Sequence, residues 1–262
     1  MTQFKDQLNR TISLERTPRR IISLVPSQTE LLCDLGLEEV IVGVTKFCVH
    51  PLHIKSKATI VGGTKQIHTD KVKALRPDII LCNKEENTKD IVEACESICP
   101  VHVSDIFTLN DSLELIKQYG NLFNVNKKAV YIINTIKRES QDFAEFISNK
   151  PKINAVYFIW RNPWMVAANN TFINYMLQIN NFNNCFGEED RYPEIQLSVN
   201  EKVQIVLLSS EPYPFKEVHK NELKKVYPNA KLVLVDGEMF SWYGSRLTKA
   251  FKYFKQLYLN LC

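Results

Sequence analysis

Residues 20–37 read RIISLVPSQTELLCDLGL, and the fold follows from the change of period halfway along this stretch. RIISLV (20–25) is a short run rich in β-branched residues, the composition of a buried strand. In PSQTELLCDLGL, Leu31, Leu32 and Leu35 recur at helical spacing and Gly36 supplies a stop. The stretch therefore predicts a strand that turns directly into a helix.

The same unit recurs on the C-terminal side. VIVGV (40–44) is a strand, a short helix ends before Pro77, and residues 78–83 form another strand. A helix at about 88–97 and the strand VHVSDI (101–106) follow. Strands alternating with helices predict a mainly parallel sheet with helices on its faces. Residues 126–148 break the alternation: Ala129, Ile132, Ile133, Ile136, Phe143, Phe146 and Ile147 lie on one side of a helical pattern that contains neither Gly nor Pro. At a rise of 1.5 Å per residue such a helix is roughly 35 Å long. After Pro151 the strands INAVYFIW (153–160), VQIVLLSS (203–210) and KLVLVD (231–236) alternate with helices at 171–179, 215–226 and 247–261. The expectation is an α/β protein of two Rossmann-like α/β lobes, 1–125 and 150–262, joined by one long backbone helix at 126–149.

Composition narrows the function. A chain of 262 residues that is 45% hydrophobic can bury a large core, which argues against disorder. Its net charge of +4 is spread over 33 basic and 29 acidic residues without a basic block, which argues against a nucleic-acid partner. No apolar run reaches the length of a membrane span, so no membrane insertion is expected. Residues 1–20 lack the apolar run and small-residue cleavage site of a secretory signal. The seven cysteines, Cys33, Cys48, Cys82, Cys95, Cys99, Cys185 and Cys262, are odd in number and sit among apolar neighbours, the usage of reduced thiols. Both features predict a cytoplasmic location; a trimmed N-terminus would make it periplasmic.

In an open α/β sheet, ligands bind at the carboxyl ends of the strands. The corresponding loops are PSQTE (26–30), TKFCVHP (45–51), VGGTKQIH (61–68) and NKEEN (83–87) in the first lobe. In the second they are WRNPWMVAANN (160–170), SSEPYPF (209–215) and DGEMFSWYGSR (236–246). The second set holds Trp160, Trp164, Tyr213, Phe215, Phe240, Trp242 and Tyr243, including all three tryptophans of the chain. Aromatic walls with a few polar groups characterise small-molecule sites.

The order of RIISLVPSQTELL, VGVTKFCVHP, a Gly-Gly segment before KALRPDIIL, the long helix and a closing aromatic loop resembles the helical-backbone class of periplasmic-binding-protein-like receptors of ABC transporters. Within that class it looks most like the branch that takes up cobalamin and siderophores. The resemblance covers residues 19–261. It implies a solute-binding protein that holds cobalamin, haem or a ferric siderophore in a cleft between lobes, with no intrinsic cofactor and no catalysis. It also implies an ABC permease partner, with Asp70 and Glu211 as surface carboxylates that dock on permease arginines. Two other readings remain for these acids: Asp70 favours the dipole of a helix start, and Glu211 neutralises a nearby Arg such as Arg246. The aromatic clamp falls on Trp160, Trp164, Phe240 and Trp242, while the first lobe has GGTK (62–65) where the cobalamin receptors carry a tryptophan.

The full candidate set for the ligand is Ser27, Lys46, Cys48, His50, Gly63, Thr64, Lys65, Glu86, Trp160, Arg161, Trp164, Tyr213, Phe240, Trp242, Tyr243 and Arg246. Lys46, Lys65, Lys84, Arg161 and Arg246 are the cations suited to ligand carboxylates or phosphates. Ser27 and Thr29 alternatively cap the helix that follows them. The two glycines of GGTK lack the length of a phosphate-binding P-loop and instead predict a tight turn. Ser27 and Ser241 lack a nucleophile elbow. A cytoplasmic enzyme or metal-handling protein on the same fold is the alternative, with Cys48, His50, His53 and His68 as its ligands.

Overall fold

The structure, a computed structural model, describes residues 2–261. The chain divides into two compact units. One runs to Ile136 and takes in Tyr243–Arg246, and the other holds Lys137–Trp242 and the chain from Leu247 onward.

The first unit opens with a hairpin that the sequence did not reveal, β1 (Thr2–Lys5) and β2 (Thr11–Leu14), paired antiparallel. β1 has Phe4 as its one apolar residue, and the alternation of the buried Ile12 and Leu14 in β2 is only four residues long, too short a period to stand out in the sequence. The buried Asp6 anchors the hairpin: its carboxylate accepts from Arg10 Nε at 2.7 Å and from the main-chain N–H of Val103 at 3.2 Å. Five parallel strands follow, β3 (Ile21–Ser23), β4 (Ile41–Val44), β5 (Thr59–Ile60), β6 (Ile79–Asn83) and β7 (Val101–Ser104), in the order β5-β4-β3-β6-β7. The chain winds outward from β3 through β5 and then crosses back to β6. The carboxyl ends of β3 and β6 thus flank a topological switch point, where open α/β sheets form their crevice.

Local chemistry explains the helices of this unit. The first, α1 (Pro26–Asp34), starts with Pro at its first position, where the missing N–H costs nothing. Gly36 stops it at φ +77°, with Leu37 N donating to Leu32 O at 2.9 Å. Ser27 and Thr29 are not caps, because the capping position is Val25; Thr29 instead donates back to Val25 O at 3.0 Å. Two short helices follow, α2 (Ile54–Lys57) and α3 (Thr69–Ala74), and then α4 (Lys89–Glu96), capped by Thr88. The next helix, α5 (Leu109–Leu122), was not read from the sequence; Thr108 and Asp111 form its capping box. Ile22, Leu24, Ile80, Cys82, Val101 and Val103 build the core under α3 and α4.

The long helix α6 (Asn126–Ile147) contributes residues to both units, since the division falls between Ile136 and Lys137. In the second unit the parallel strands β8 (Ile153–Trp160), β10 (Phe182–Asn184), β11 (Ile205–Ser209) and β12 (Lys231–Val235) are ordered β10-β8-β11-β12. The two-residue β9 (Met165–Val166) lies antiparallel on β8. Here the switch point falls between β8 and β11. The helices are α7 (Phe172–Ile179), capped by Thr171, α8 (Glu217–Lys224), α9 (Gly237–Ser241) and α10 (Leu247–Leu261). Phe143 of α6 packs on Phe251 and Phe254 of α10, with ring centroids 6.1 and 6.0 Å away. This apolar stripe is what the 3.6-residue period of α6 predicts.

Among the described residues no helix is long and apolar enough to cross a membrane. The six described cysteines are free thiols; Cys262 lies outside the described residues.

Candidate functional site

At the carboxyl end of the first sheet, the turn after β5 depends on glycine. Gly62 has φ +136°, and its carbonyl accepts from Lys46 N at 2.8 Å. A Cβ on Gly62 would stand 2.5 Å from Gln66 O and 2.7 Å from Ile67 Cα, so only glycine fits. At Gly63 the nearest atoms to such a carbon belong to side chains, Phe47 Cε2 at 3.2 Å and Lys46 Cε at 3.6 Å. Phe47 therefore leans over Gly63, with 49% of its surface exposed and Lys46 Nζ 5.0 Å from its ring centroid. Asn87 Nδ2 donates to Thr64 O at 2.9 Å, and Lys65 Nζ donates to the main-chain carbonyl of Glu85. The geometry brings together Lys46, Gly63, Thr64 and Lys65 of the candidate set. It adds Phe47, which sequence reasoning passed over although it directly follows Lys46 at the end of a strand.

Other candidates of this unit have structural partners. Cys48 is fully buried, with its Sγ 3.1 Å from Thr29 Oγ1 and 3.2 Å from Thr45 Oγ1, and burial pushes its thiol up. That is the opposite of an activated thiolate. His53 is exposed and 2.7 Å from Glu38, His68 precedes α3, and His50 is half-buried. Among the described residues no group of three or more His, Cys, Asp or Glu side chains stands ready to hold a metal ion. The metal-site alternative therefore lacks a ligand set there. Asp70 is exposed in the first turn of α3. Glu86 is half-buried; burial is the main reason that the Cys48 thiol and the Tyr243 phenol are raised, and the Glu86 charge adds to both.

The closing loop belongs to the core more than to an open wall, contrary to expectation. Tyr243 is buried, and its hydroxyl accepts from Gln28 Nε2 at 3.0 Å. Arg246 is buried as well, and its Nε donates to Glu30 Oε2 at 2.9 Å. Gly244 N donates to Ser112 Oγ at 2.9 Å. The letters Gln28 and Glu30 of PSQTELL thus hold the segment Tyr243–Arg246. Burial drives this arrangement: two long polar side chains taken out of water need partners in place. Ser27 is buried on the same helix.

In the second unit, Trp160 ends β8 with 39% of its surface exposed, and Tyr213 meets its ring edge-on at 5.7 Å. These two residues come from the loops on either side of the switch point. Trp164 is stacked on Phe215 at 6.1 Å and packs against Phe158, while Arg161 lies 5.6 Å over its ring. The Arg161 guanidinium makes a two-nitrogen pairing with the carboxylate of Glu222, at 3.1 and 2.9 Å. Phe240 is fully buried between Tyr157 and Phe254, with centroids at 5.2 and 4.8 Å, which makes it a core residue and not a ligand wall.

Glu211 was expected at the surface and instead turns inward. Its Oε1 accepts from Ser241 Oγ at 2.7 Å and from Trp242 Nε1 at 2.9 Å. Burial raises its carboxyl above the ordinary range, and the acidic neighbours Glu238 and Asp236 add to the rise against the pull of these hydrogen bonds. Trp242 is correspondingly buried.

A family model described as periplasmic binding protein matches residues 21–208. An uncharacterized ABC transporter substrate-binding lipoprotein of Bacillus subtilis is 25% identical over 182 residues, which covers 66% of this chain and 57% of that protein. A vitamin B12-binding protein of Pectobacterium carotovorum is 30% identical over 102 residues, 38% of this chain and 37% of its own length. The matches thus span little more than half of these relatives, or less. Among solved structures, a periplasmic haem-binding protein from Pseudomonas aeruginosa superposes with a TM-score of 0.79 at 22% identity over 92% of each chain. At that identity the likeness speaks for the fold.

Proposed function

Because this chain belongs to the periplasmic binding protein family, we propose that it is the substrate-binding receptor of an ABC-type importer and that it captures a metal chelate such as cobalamin, haem or a ferric siderophore. The observation that carries this reading is the exposed aromatic at the carboxyl end of each parallel sheet. Phe47 stands beside Lys46 in one unit, and Trp160 stands against Tyr213 in the other. Ligand-binding folds of this type place their contacts at such strand ends, and exposed aromatic faces suit flat, partly apolar ligands. The names of the relatives, substrate-binding lipoprotein and vitamin B12-binding protein, support the same class of solute and a membrane permease as partner.

These relatives lend no support to a cytoplasmic location; periplasmic or membrane-anchored work outside the cytoplasm accords with their names. The family is one of receptors, and the buried, high-pKa Cys48 offers no nucleophile for an enzymatic alternative.

The test is native mass spectrometry of the protein with cobalamin, haemin and ferric siderophores, read in parallel by tryptophan fluorescence. The expected result is a one-to-one complex with one class of chelate that weakens several-fold in Trp160→Ala, since an aromatic contact contributes about 1 kcal/mol. Silence across the whole panel would overturn the receptor reading.

A further inference from the structure

The five cations of the strand-end loops are not equivalent. Lys84 Nζ is 2.7 Å from Asp105, Arg161 is paired with Glu222, and Arg246 is buried against Glu30. Those three already have carboxylate partners. Lys46 and Lys65 differ: among the described residues neither has a carboxylate within ion-pair distance. Lys46 reaches over the Phe47 ring, and Lys65 donates only to the neutral main-chain carbonyl of Glu85. Both are exposed: Lys46 reaches the Gly62–Gly63 turn beside the half-exposed Phe47 ring, and Lys65 lies two residues beyond that turn. The acids of the neighbouring loop, Glu85 and Glu86, are half-buried.

Two exposed lysines without a carboxylate partner among the described residues, one over the Phe47 ring and one just beyond the same Gly-Gly turn, form a recognition surface for a flat ligand with an anionic rim. A ligand whose rim carries only neutral amides would leave both charges unanswered. We infer that the chelate is one bearing free carboxylates, and that Lys46 and Lys65 receive them while Phe47 packs against its apolar face. This inference rests on the receptor reading above and narrows it: a dicarboxylate tetrapyrrole or a carboxylate-bearing ferric chelate is selected over a corrinoid, whose ring rim is amidated and whose one anionic group is the phosphate of its nucleotide loop, away from that rim.

The experiment is a fluorescence and calorimetric titration of the whole protein with four probes: haemin, haemin dimethyl ester, ferric citrate and cyanocobalamin. Haemin or ferric citrate should bind. If haemin is the one that binds, its diester should be weaker by about tenfold or more. Lys46→Gln and Lys65→Gln should each lower affinity for the acid about tenfold, the scale of one charge-assisted hydrogen bond, and leave affinity for the diester unchanged. Raising salt should weaken the acid and not the ester. Both substitutions lie at exposed positions, so an unchanged urea midpoint identifies a folded variant. Binding of cyanocobalamin in preference to the carboxylate probes, or affinity for the acid unmoved by both lysine substitutions, would overturn this inference and leave the receptor reading standing. Silence with all four probes would overturn this inference, while the receptor reading falls only if the ferric siderophores of the wider panel are silent as well.

Discussion

Gln28 is the residue whose loss the structure makes most predictable. It is fully buried in α1 and serves as a hub: Tyr119 hydroxyl donates to its Oε1 at 2.7 Å, while its Nε2 donates to Ser104 Oγ at 2.6 Å and to the Tyr243 hydroxyl at 3.0 Å. Tyr119 is fully buried too, and burial pushes its phenol far above the ordinary range, so it stays a neutral donor. Tyr119→Phe leaves the amide oxygen of Gln28 without this donor, at a cost of about 2 kcal/mol. Gln28→Leu removes these hydrogen bonds and a longer one from Nε2 to Cys82 O at 3.4 Å, and strands the Tyr119 hydroxyl in the core, at about 3 kcal/mol. In the Gln28→Leu background, however, Tyr119→Phe deletes a donor that has already lost its acceptor, and should recover about 1 kcal/mol. The two effects of Tyr119→Phe have opposite sign, which gives a coupling energy of about 3 kcal/mol. Urea unfolding of the wild type, both single variants and the double variant measures it directly. If Tyr119→Phe cost the same in both backgrounds to within about 0.5 kcal/mol, the hub would not exist as described.

Two further outcomes follow from single groups. His102 is buried on β7, its Nε2 is 3.0 Å from Gln118 Oε1, and burial lowers its pKa below the ordinary 6.5. The unfolded chain therefore takes up a proton near pH 6.5 that the folded one refuses, so stability falls as pH drops below that value; His102→Leu should flatten the slope by up to about 1.4 kcal/mol per pH unit between the unfolded and folded pKa values. Unfolding curves at several values between pH 5 and 7 check this, and an unchanged slope would count against a neutral buried imidazole. At the Gly-Gly turn, Gly62→Ala should cost more than about 1 kcal/mol because the new carbon meets backbone atoms at 2.5 and 2.7 Å. Gly63→Ala should cost less than about 0.5 kcal/mol, since the ends of exposed side chains can give way there. Equal urea midpoints for the two variants would refute that distinction.

Much of the fold was legible in the sequence because its signals are local. The apolar strand at residues 153–160 was read at its full length, and Gly36 stopped α1 where a left-handed residue was needed. The period of α6 named the side that packs on α10. The hairpin of β1 and β2 escaped because the alternation of Ile12 and Leu14 is only one period long and β1 adds only Phe4, and α5 escaped although Thr108 and Asp111 spell its cap. The candidate site was legible as a set of loops and not as a set of roles. Whether a cation meets a ligand or a neighbour depends on residues that only folding brings close. Arg246 finds Glu30 across 216 positions, and Tyr243 finds Gln28 across 215. No window of sequence contains both members of such a pair, so composition alone made DGEMFSWYGSRL look like an open wall. The sequence by itself determined the alternation of strands and helices, because hydrophobic period and capping act within a few residues. Only the tertiary structure decided which polar groups are buried with partners and which, like Lys46 and Lys65, remain without a carboxylate among the described residues, because desolvation is a property of the packed chain.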